Sequence, residues 1–190
     1  INWADVICLG CGLGTSDLSE QLVKLVLKKN QKPCVLDADG LNILSEHPEY
    51  MKDYLNEIYI LTPHMKEMSR LIGTSVDDLT NERMDILNSY VKDKQIVCVL
   101  KDARTLIAGN NNNVYLNTTG NSSMAKGGSG DVLTGIIAGI LAQGKNSFEA
   151  ACLGVYLHGL SGDFARKEKG NYSVLASDLI DSIGEILKEI

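Results

Sequence analysis

Met124-Ala-Lys-Gly127-Gly-Ser-Gly-Asp131-Val-Leu-Thr-Gly-Ile-Ile-Ala-Gly-Ile-Leu-Ala-Gln-Gly144 joins a glycine-rich turn to a long run of apolar and small residues. From Val132 to Leu141 almost nothing is polar, so this segment is expected to be a helix buried on most sides. Its first turn, Gly128-Ser129-Gly130, carries little side-chain bulk. The unpaired N–H groups and the positive dipole end of the helix are therefore left bare, which is a seat for a phosphoryl group. Glycine has a steric reason to be there, because it lets the backbone approach an anion closely and adopt positive φ.

Asp131 narrows the chemistry. A carboxylate beside a bound phosphate is repelled by it, whereas the same carboxylate beside a hydroxyl attacking phosphorus is a general base. Asp also caps helices, and spacing alone leaves capping and catalysis both open. Two familiar motifs are excluded. The order Gly127, Ser129, Asp131 lacks the second glycine of a G-x-S-x-G elbow, and no G-x-x-x-x-G-K-[ST] P-loop occurs.

A chain of 190 residues suits one domain with a sizeable core, and 44% hydrophobic with 22% charged residues is ordinary for a soluble globular protein. A net charge of -6 argues against a nucleic-acid or anionic-membrane surface. The longest apolar helix falls short of the ~20 residues needed to span a bilayer. A soluble, cytoplasmic protein is expected. Cysteines 8, 11, 34, 98 and 152 lie mostly in apolar runs and read as reduced core residues, the Cys8/Cys11 pair lacking partners at zinc spacing.

From the N-terminus, Ala4–Leu9 reads as a strand running into the turn Gly10-Cys-Gly12-Leu-Gly14. A helix through about Lys29 follows, with Asp17 and Glu20 at its start and Leu18, Leu22, Leu25 and Val26 as its buried face. Cys34–Leu36 is a strand ending in Asp37-Ala-Asp39, two carboxylates at the mouth of the sheet, where a Mg²⁺ would find oxygen ligands. Glu57–Leu61 leads to Thr62-Pro63-His64, read as N-cap, first helical position and first turn. A polar helix follows around Asn81–Val91, then a strand at Gln95–Leu100 ending in Lys101–Thr105.

Lys101 and Arg104 suit nucleotide phosphates, or a solvated turn. Leu106–Ala108 and Val114–Asn117 form a hairpin around residues 109–113. Ser147–Lys167 is a long helix whose small residues imply a closely packed neighbour, with no chemistry assigned to His158 or Asp163. Ser177 caps a last helix, its buried face formed by Leu179, Ile183, Ile186, Leu187 and Ile190. The alternation predicts an α/β fold, a mostly parallel sheet with helices on both faces and an antiparallel hairpin at one edge.

Several of these segments, taken in order, resemble the signature of the ADP/ATP-dependent NAD(P)H-hydrate dehydratases. Gly10–Gly14 is similar to a G-P-G-L-G turn with Cys11 in place of Pro, and Asp37–Asp39 to a D-A-D strand end. Thr62–His64 with Glu67 is similar to T-P-H-x-x-E. Lys101–Thr105 resembles K-G-A-x-T with Asp102 in place of Gly, and Thr119–Gly135 resembles the family block, matching throughout Gly127–Gly135 and departing at neighbours such as Ser122 and Lys126. The resemblance implies a ribokinase-like fold and repair of (6S)-NADHX or (6S)-NADPHX to NADH or NADPH, coupled to cleavage of ADP or ATP with Mg²⁺.

It further implies that Lys101, Asp102, Ala103, Arg104, Thr105 and Gly130 contact the adenine nucleotide. Gly12, His64, Asp131 and Asp39 would meet the hydrated dinucleotide, with the Gly128, Ser129 and Gly130 amides and Asp131 catalytic. A homo-oligomer, tetrameric in relatives, is implied too. Residues 1–190 would be one such domain without the strand–helix units that precede the Gly10–Gly14 turn in the family. A small-molecule kinase of the same fold, acting for example on a thiazole alcohol, and a non-catalytic nucleotide-binding module are the alternative readings.

Overall fold

The computed structural model describes residues 3–110 and 113–188. Its centre is one six-stranded sheet in strict chain order. Strands β1 (Ile7–Leu9), β2 (Cys34–Leu36), β3 (Tyr59–Leu61) and β4 (Val97–Leu100) are parallel, and β5 (Leu106–Ala108) and β6 (Val114–Leu116) continue it antiparallel. The parallel strands carry apolar residues at consecutive positions because both faces of the sheet are covered. Leu36, Leu61 and Leu100 face one helical layer, whereas Val35, Ile60 and Val99 face the other.

The first layer holds α1 (Asp17–Lys29), α2 (Asp39–Glu46), α3 (Pro48–Tyr54), α4 (Met65–Ile72) and α5 (Val76–Lys94). The second is α6 (Ser129–Ala142) and α7 (Ser147–Lys169), with α8 (Ala176–Leu187) packed on α7. The small residues of α7 work as the sequence implied. A Cβ on Gly154 would sit 2.6 Å from Ile137, one on Gly159 2.0 Å from Thr119 and one on Gly162 2.1 Å from Met124. These positions let α6 and the loop after β6 press directly onto α7. No helix among the described residues is long and apolar enough to cross a membrane.

Several expectations need correction. Helix α1 buries Ser19, Val23, Val26 and Leu27, leaving Leu18, Leu22 and Leu25 exposed on its outer side. Helix α6 is buried along one face only, through Leu133, Thr134, Ile137 and Leu141, and Gly135 and Gly139 have open space beside them. The N-cap of α4 is His64 rather than Thr62. Helix α5 starts at Val76, capped by Ser75, well before Asn81. Ser177 lies inside α8; the carboxylate of Asp178 accepts from the Leu175 amide at 2.8 Å and does the capping, and Leu187 is exposed. Cys8 and Cys11 are exposed free thiols, unlike the buried Cys34 and Cys98. The centre of the hairpin turn, residues 111–112, and Ile190 lie outside the described residues.

Backbone geometry concentrates at the end of β1. Gly10 has φ of +122° and packs so tightly that a Cβ there would fall 1.9 Å from the Asp37 carbonyl oxygen. Opposite it, Ala38 holds φ 49° and ψ -120°, a region normally left to glycine. The two positions should therefore answer substitution with opposite signs. Gly10→Ala is expected to cost roughly 3 kcal/mol or more, while Ala38→Gly is expected to add about 1 kcal/mol. Urea unfolding midpoints of the two variants check both.

Candidate active site

The C-terminal ends of β2 and β4 and the start of α6 converge on one buried ion pair. Asp37 follows β2 directly, is 2% exposed, and accepts from Lys101 Nζ at 2.7 Å and from Thr134 Oγ1 at 3.0 Å. Lys101 follows β4, and its own amide donates to the Pro63 carbonyl at 2.8 Å. A second buried carboxylate, Glu67, stands 3.9 Å from the same ammonium. The lysine is thus no solvated turn residue.

His64 is fixed just as closely. Its Nδ1 accepts from the amides of Lys66 and Glu67, while the Glu67 side chain accepts from the His64 amide in a reciprocal capping box. With Nδ1 an acceptor, a neutral ring carries its proton on Nε2, which lies 3.4 Å from Glu67 Oε1.

A cavity of about 830 Å³ opens over this pair, a size suited to a small-molecule ligand. One wall is the whole stretch Lys101–Thr105, and the first turn of α6, Gly128–Asp131, forms its base. Asp102 is turned to Arg83, 2.7 Å away, so the acidic side chain is held by α5 rather than pushed at a ligand. The opposite wall, residues 117–126, is tied to α7. Asp163 accepts from the Gly120 amide at 2.9 Å and from Asn121 Nδ2 at 2.8 Å, and the Thr119 hydroxyl donates to the Tyr156 carbonyl.

At the base, Gly128 takes φ of 86° and serves as N-cap without a side-chain bond. The Ser129 amide donates to the Lys126 carbonyl at 3.3 Å. The expected trio of Gly128–Gly130 amides is therefore altered. Among the described residues, the amides of Gly130 and Asp131 have no backbone acceptor and point out from the helix start. Asp131 is exposed, lines the cavity and makes no hydrogen bond to a first-turn amide. Capping does not account for it.

The carboxylates of Asp131 and Asp37 and the Cys11 thiol lie within 4.8 Å of one another. Burial first, then hydrogen bonding to Asp131 and the nearby carboxylate charges, push the Cys11 thiol up to about 11, so it is protonated at neutral pH. A protonated thiol is no ligand for a hard cation. Both oxygens of Asp37 are already engaged, whereas among the described residues Asp131 meets only the Cys11 thiol and stays exposed. A Mg²⁺ would be held near this set through water by the Asp37 carboxylate.

Two of the expected substrate-contacting residues lie outside the lining of this cavity. Asp39 accepts from the Gly14 amide at 2.8 Å and so holds the Gly10–Gly14 turn in place. Gly12, with φ of 66°, faces open space beyond the cavity lining. The sequence reading passed over His158, which borders the cavity with Nε2 3.3 Å from Ser129 Oγ. The available signal was its place on the same face of α7 as Val155, Gly159 and Gly162.

The parallel sheet with an antiparallel edge, and a glycine-rich turn feeding a helix at its mouth, define a ribokinase-like α/β protein. A likeness to the hydroxyethylthiazole kinase of Pyrococcus horikoshii shows the same fold, with a TM-score of 0.75 at 14% identity over 96% of this chain and 72% of that one. The chain belongs to the NAD(P)H-hydrate dehydratase family, which it matches over residues 1–185.

It is 42% identical over 186 residues to the bifunctional NAD(P)H-hydrate repair enzyme of Moorella thermoacetica, covering 98% of this chain and 35% of that protein. The ADP/ATP-dependent NAD(P)H-hydrate dehydratase of Bacillus subtilis, co-crystallised with ATP and Mg²⁺, superposes with a TM-score of 0.82 at 32% identity. That likeness covers 97% of this chain and 64% of the Bacillus chain, so the sequence spans about a third of the first relative and under two thirds of the second.

Burial, reinforced by the Lys101 charge, pushes His158 down to about 4 against the opposing hydrogen bond to the Ser129 backbone. The unfolded chain therefore binds this proton more readily than the folded one. Stability from this source is complete above about pH 6.5 and is lost as pH falls toward 4, by about 3 kcal/mol in total. His158→Gln is expected to flatten that part of the acid limb, as measured by urea midpoints at pH 7 and pH 4.5.

Proposed function

We propose that this chain carries the nucleotide-binding and phosphoryl-transfer part of an ADP- or ATP-dependent NAD(P)H-hydrate dehydratase. The observation that carries this reading is Asp131, an open carboxylate at the cavity edge, beside amides that face outward at the start of α6. Family membership supplies the substrate class, a hydrated NADH or NADPH, and the Bacillus relative supplies ATP with Mg²⁺.

In this reading the nucleotide lies along Lys101–Thr105, with its terminal phosphate over Gly130 and Asp131. Asp131 takes the proton from the C6 hydroxyl of the hydrated ring as that oxygen attacks phosphorus. The outward amides hold charge on the transferring group at no reorganisation cost. Hydroxide leaves a carbon poorly and phosphate leaves it well. The ring nitrogen then expels the phosphate, and loss of the C5 proton restores the dihydronicotinamide double bond. Mg²⁺, held through water by Asp37, would neutralise charge on the phosphates and leave Asp131 to act as the base. His64, which lines the cavity, would meet the substrate there.

Three features support strand–helix units upstream of the Gly10–Gly14 turn as part of the complete enzyme. Among the described residues, the outer edge of β1 is unpaired, Leu18, Leu22 and Leu25 are exposed on α1, and α6 is open along Gly135 and Gly139. A homo-oligomer, tetrameric as in the resemblance, finds support at the opposite edge. There Leu116, Leu153 and Tyr156 are exposed on and beside β6, and native mass of the full-length protein measures it.

Incubating the full-length protein with NADHX, Mg²⁺ and ADP or ATP tests the activity, with recovery of reduced-nicotinamide absorbance expected. A stable phosphorylated alcohol instead would make the protein a kinase, and binding without turnover a nucleotide-binding module. Asp131→Asn is expected to lower turnover by roughly 10²–10⁴-fold with nucleotide affinity little changed. Near-normal turnover of that variant removes Asp131 from the base role.

A further inference from the structure

Among the side chains that line the cavity, Asp37, Glu67, Asp102 and Asp131 are acidic, whereas Lys101, Arg104 and Lys126 are cationic. Taken alone, that balance would repel an anionic ligand. How each charge is paired therefore decides the field inside. Asp37 and Glu67 share Lys101, Asp131 is exposed at the edge, and the Lys126 ammonium donates to the Tyr172 carbonyl at 3.3 Å. Asp102 is met from outside the lining, by Arg83 of α5, whose Nη1 donates to Asp102 Oδ2 at 2.7 Å.

Arg83 follows a break in its helix, at Glu82, where φ is -122° and ψ is 23°. The same Nη1 reaches toward the Arg104 carbonyl at 3.5 Å, so the guanidinium meets the wall at two residues. Arg104 itself is placed differently. Its guanidinium donates to the Ala103 carbonyl at 3.1 Å, and it has no carboxylate partner among the described residues. It is the cation of this wall left to meet an anion. A carboxylate released by Arg83 would stand two residues along the chain from it and would cancel that charge.

We propose that Arg83 is a positioning residue that, by holding Asp102, keeps the wall at Arg104 electropositive and so sets the affinity of the cavity for a polyphosphate. This rests on reading the cavity as the nucleotide site. A plain tether between α5 and the wall has a different signature. Losing either end of a tether breaks the same bond, so Arg83 and Asp102 variants would weaken binding alike. Charge control gives the two ends opposite signs, because removing the acid leaves two cations with no carboxylate between them. Asp102 has no positive φ, so exchanging its side chain disturbs no special backbone.

ATP titrations of the full-length protein with Mg²⁺, at low and at high salt, separate these cases. Arg83→Met, which keeps the apolar stem and loses the charge, is expected to weaken ATP binding about tenfold. Asp102→Ala is expected to tighten it about threefold. The Arg83→Met/Asp102→Ala double variant should recover most of the loss, since the arginine acts through the acid. Arg83→Lys, which restores the charge, should also recover most of it. At high salt the tenfold loss should shrink to about twofold, because partly exposed charges are screened.

Equal losses for Arg83→Met and Asp102→Ala, a double variant as weak as Arg83→Met, a loss that salt leaves unchanged, or no loss at all overturn the proposal. A parent protein that binds ATP but regenerates no reduced nicotinamide from NADHX sinks the dehydratase reading and leaves this comparison decisive. A parent protein that does not bind ATP overturns both.

Discussion

The buried contact between Asp37 and Lys101 ties together the elements from which the site is made. One partner ends β2, the other ends β4, and Thr134 brings α6 onto the same carboxylate. A buried pair of this kind adds little net stability over a well-packed apolar pair, but losing one partner strands a charge, which is costly. Its value here is positional. A Cβ on Gly130 would lie 3.5 Å from Asp37 Oδ2 and 3.6 Å from Lys101 Nζ, so the open amides of α6 are seated against the pair itself. Any shift of β2 relative to β4 would move the anion seat.

The geometry around this pair explains why two neighbouring carboxylates differ. Asp37 and Asp39 are separated only by Ala38, whose left-handed φ turns the chain sharply at the start of α2. That turn sends Asp37 inward to Lys101 and leaves Asp39 outside, bonded to Gly14. Backbone strain at the mouth of the sheet is thus repaid by one buried and one clamping carboxylate. Of the two side chains that depart from the family pattern, Asp102 is drawn off by Arg83, while Cys11 stands beside Asp131 as a neutral thiol.

Much of this was legible in the chain itself. The consecutive apolar strands, the hairpin, the helix after the glycine-rich turn and the small-residue face of α7 follow from patterns that local sterics enforce. What escaped depended on distant neighbours. Leu18, Leu22 and Leu25 repeat at helical spacing as a core stripe would, but α1 turns another face inward and leaves the stripe exposed among the described residues. No periodicity can tell which of two apolar stripes finds a partner. His64 was placed in the first turn because Thr62 and Pro63 form a familiar helix start. The reciprocal bonds with Glu67 move that start two residues on. His158 was invisible because its place at the cavity edge depends on a contact 29 residues away in sequence.

The two sides of Asp131 are built to different degrees. On the cavity side the walls are already in place, because glycines on α7 admit the 117–125 loop to backbone contact and Asp163 pins it. On the other side lie Cys11, the exposed turn at Gly12, the bare edge of β1 and the open face of α6. A preformed pocket meets little ordering cost when its ligand binds, whereas an open surface must gain walls before it can exclude water from a phosphorylated hydrate. Asp131 sits on the boundary between these halves. In the proposed reading the nucleotide's position is therefore set by the fold described here, while a hydrated ring would gain its enclosure from walls beside α1 and α6.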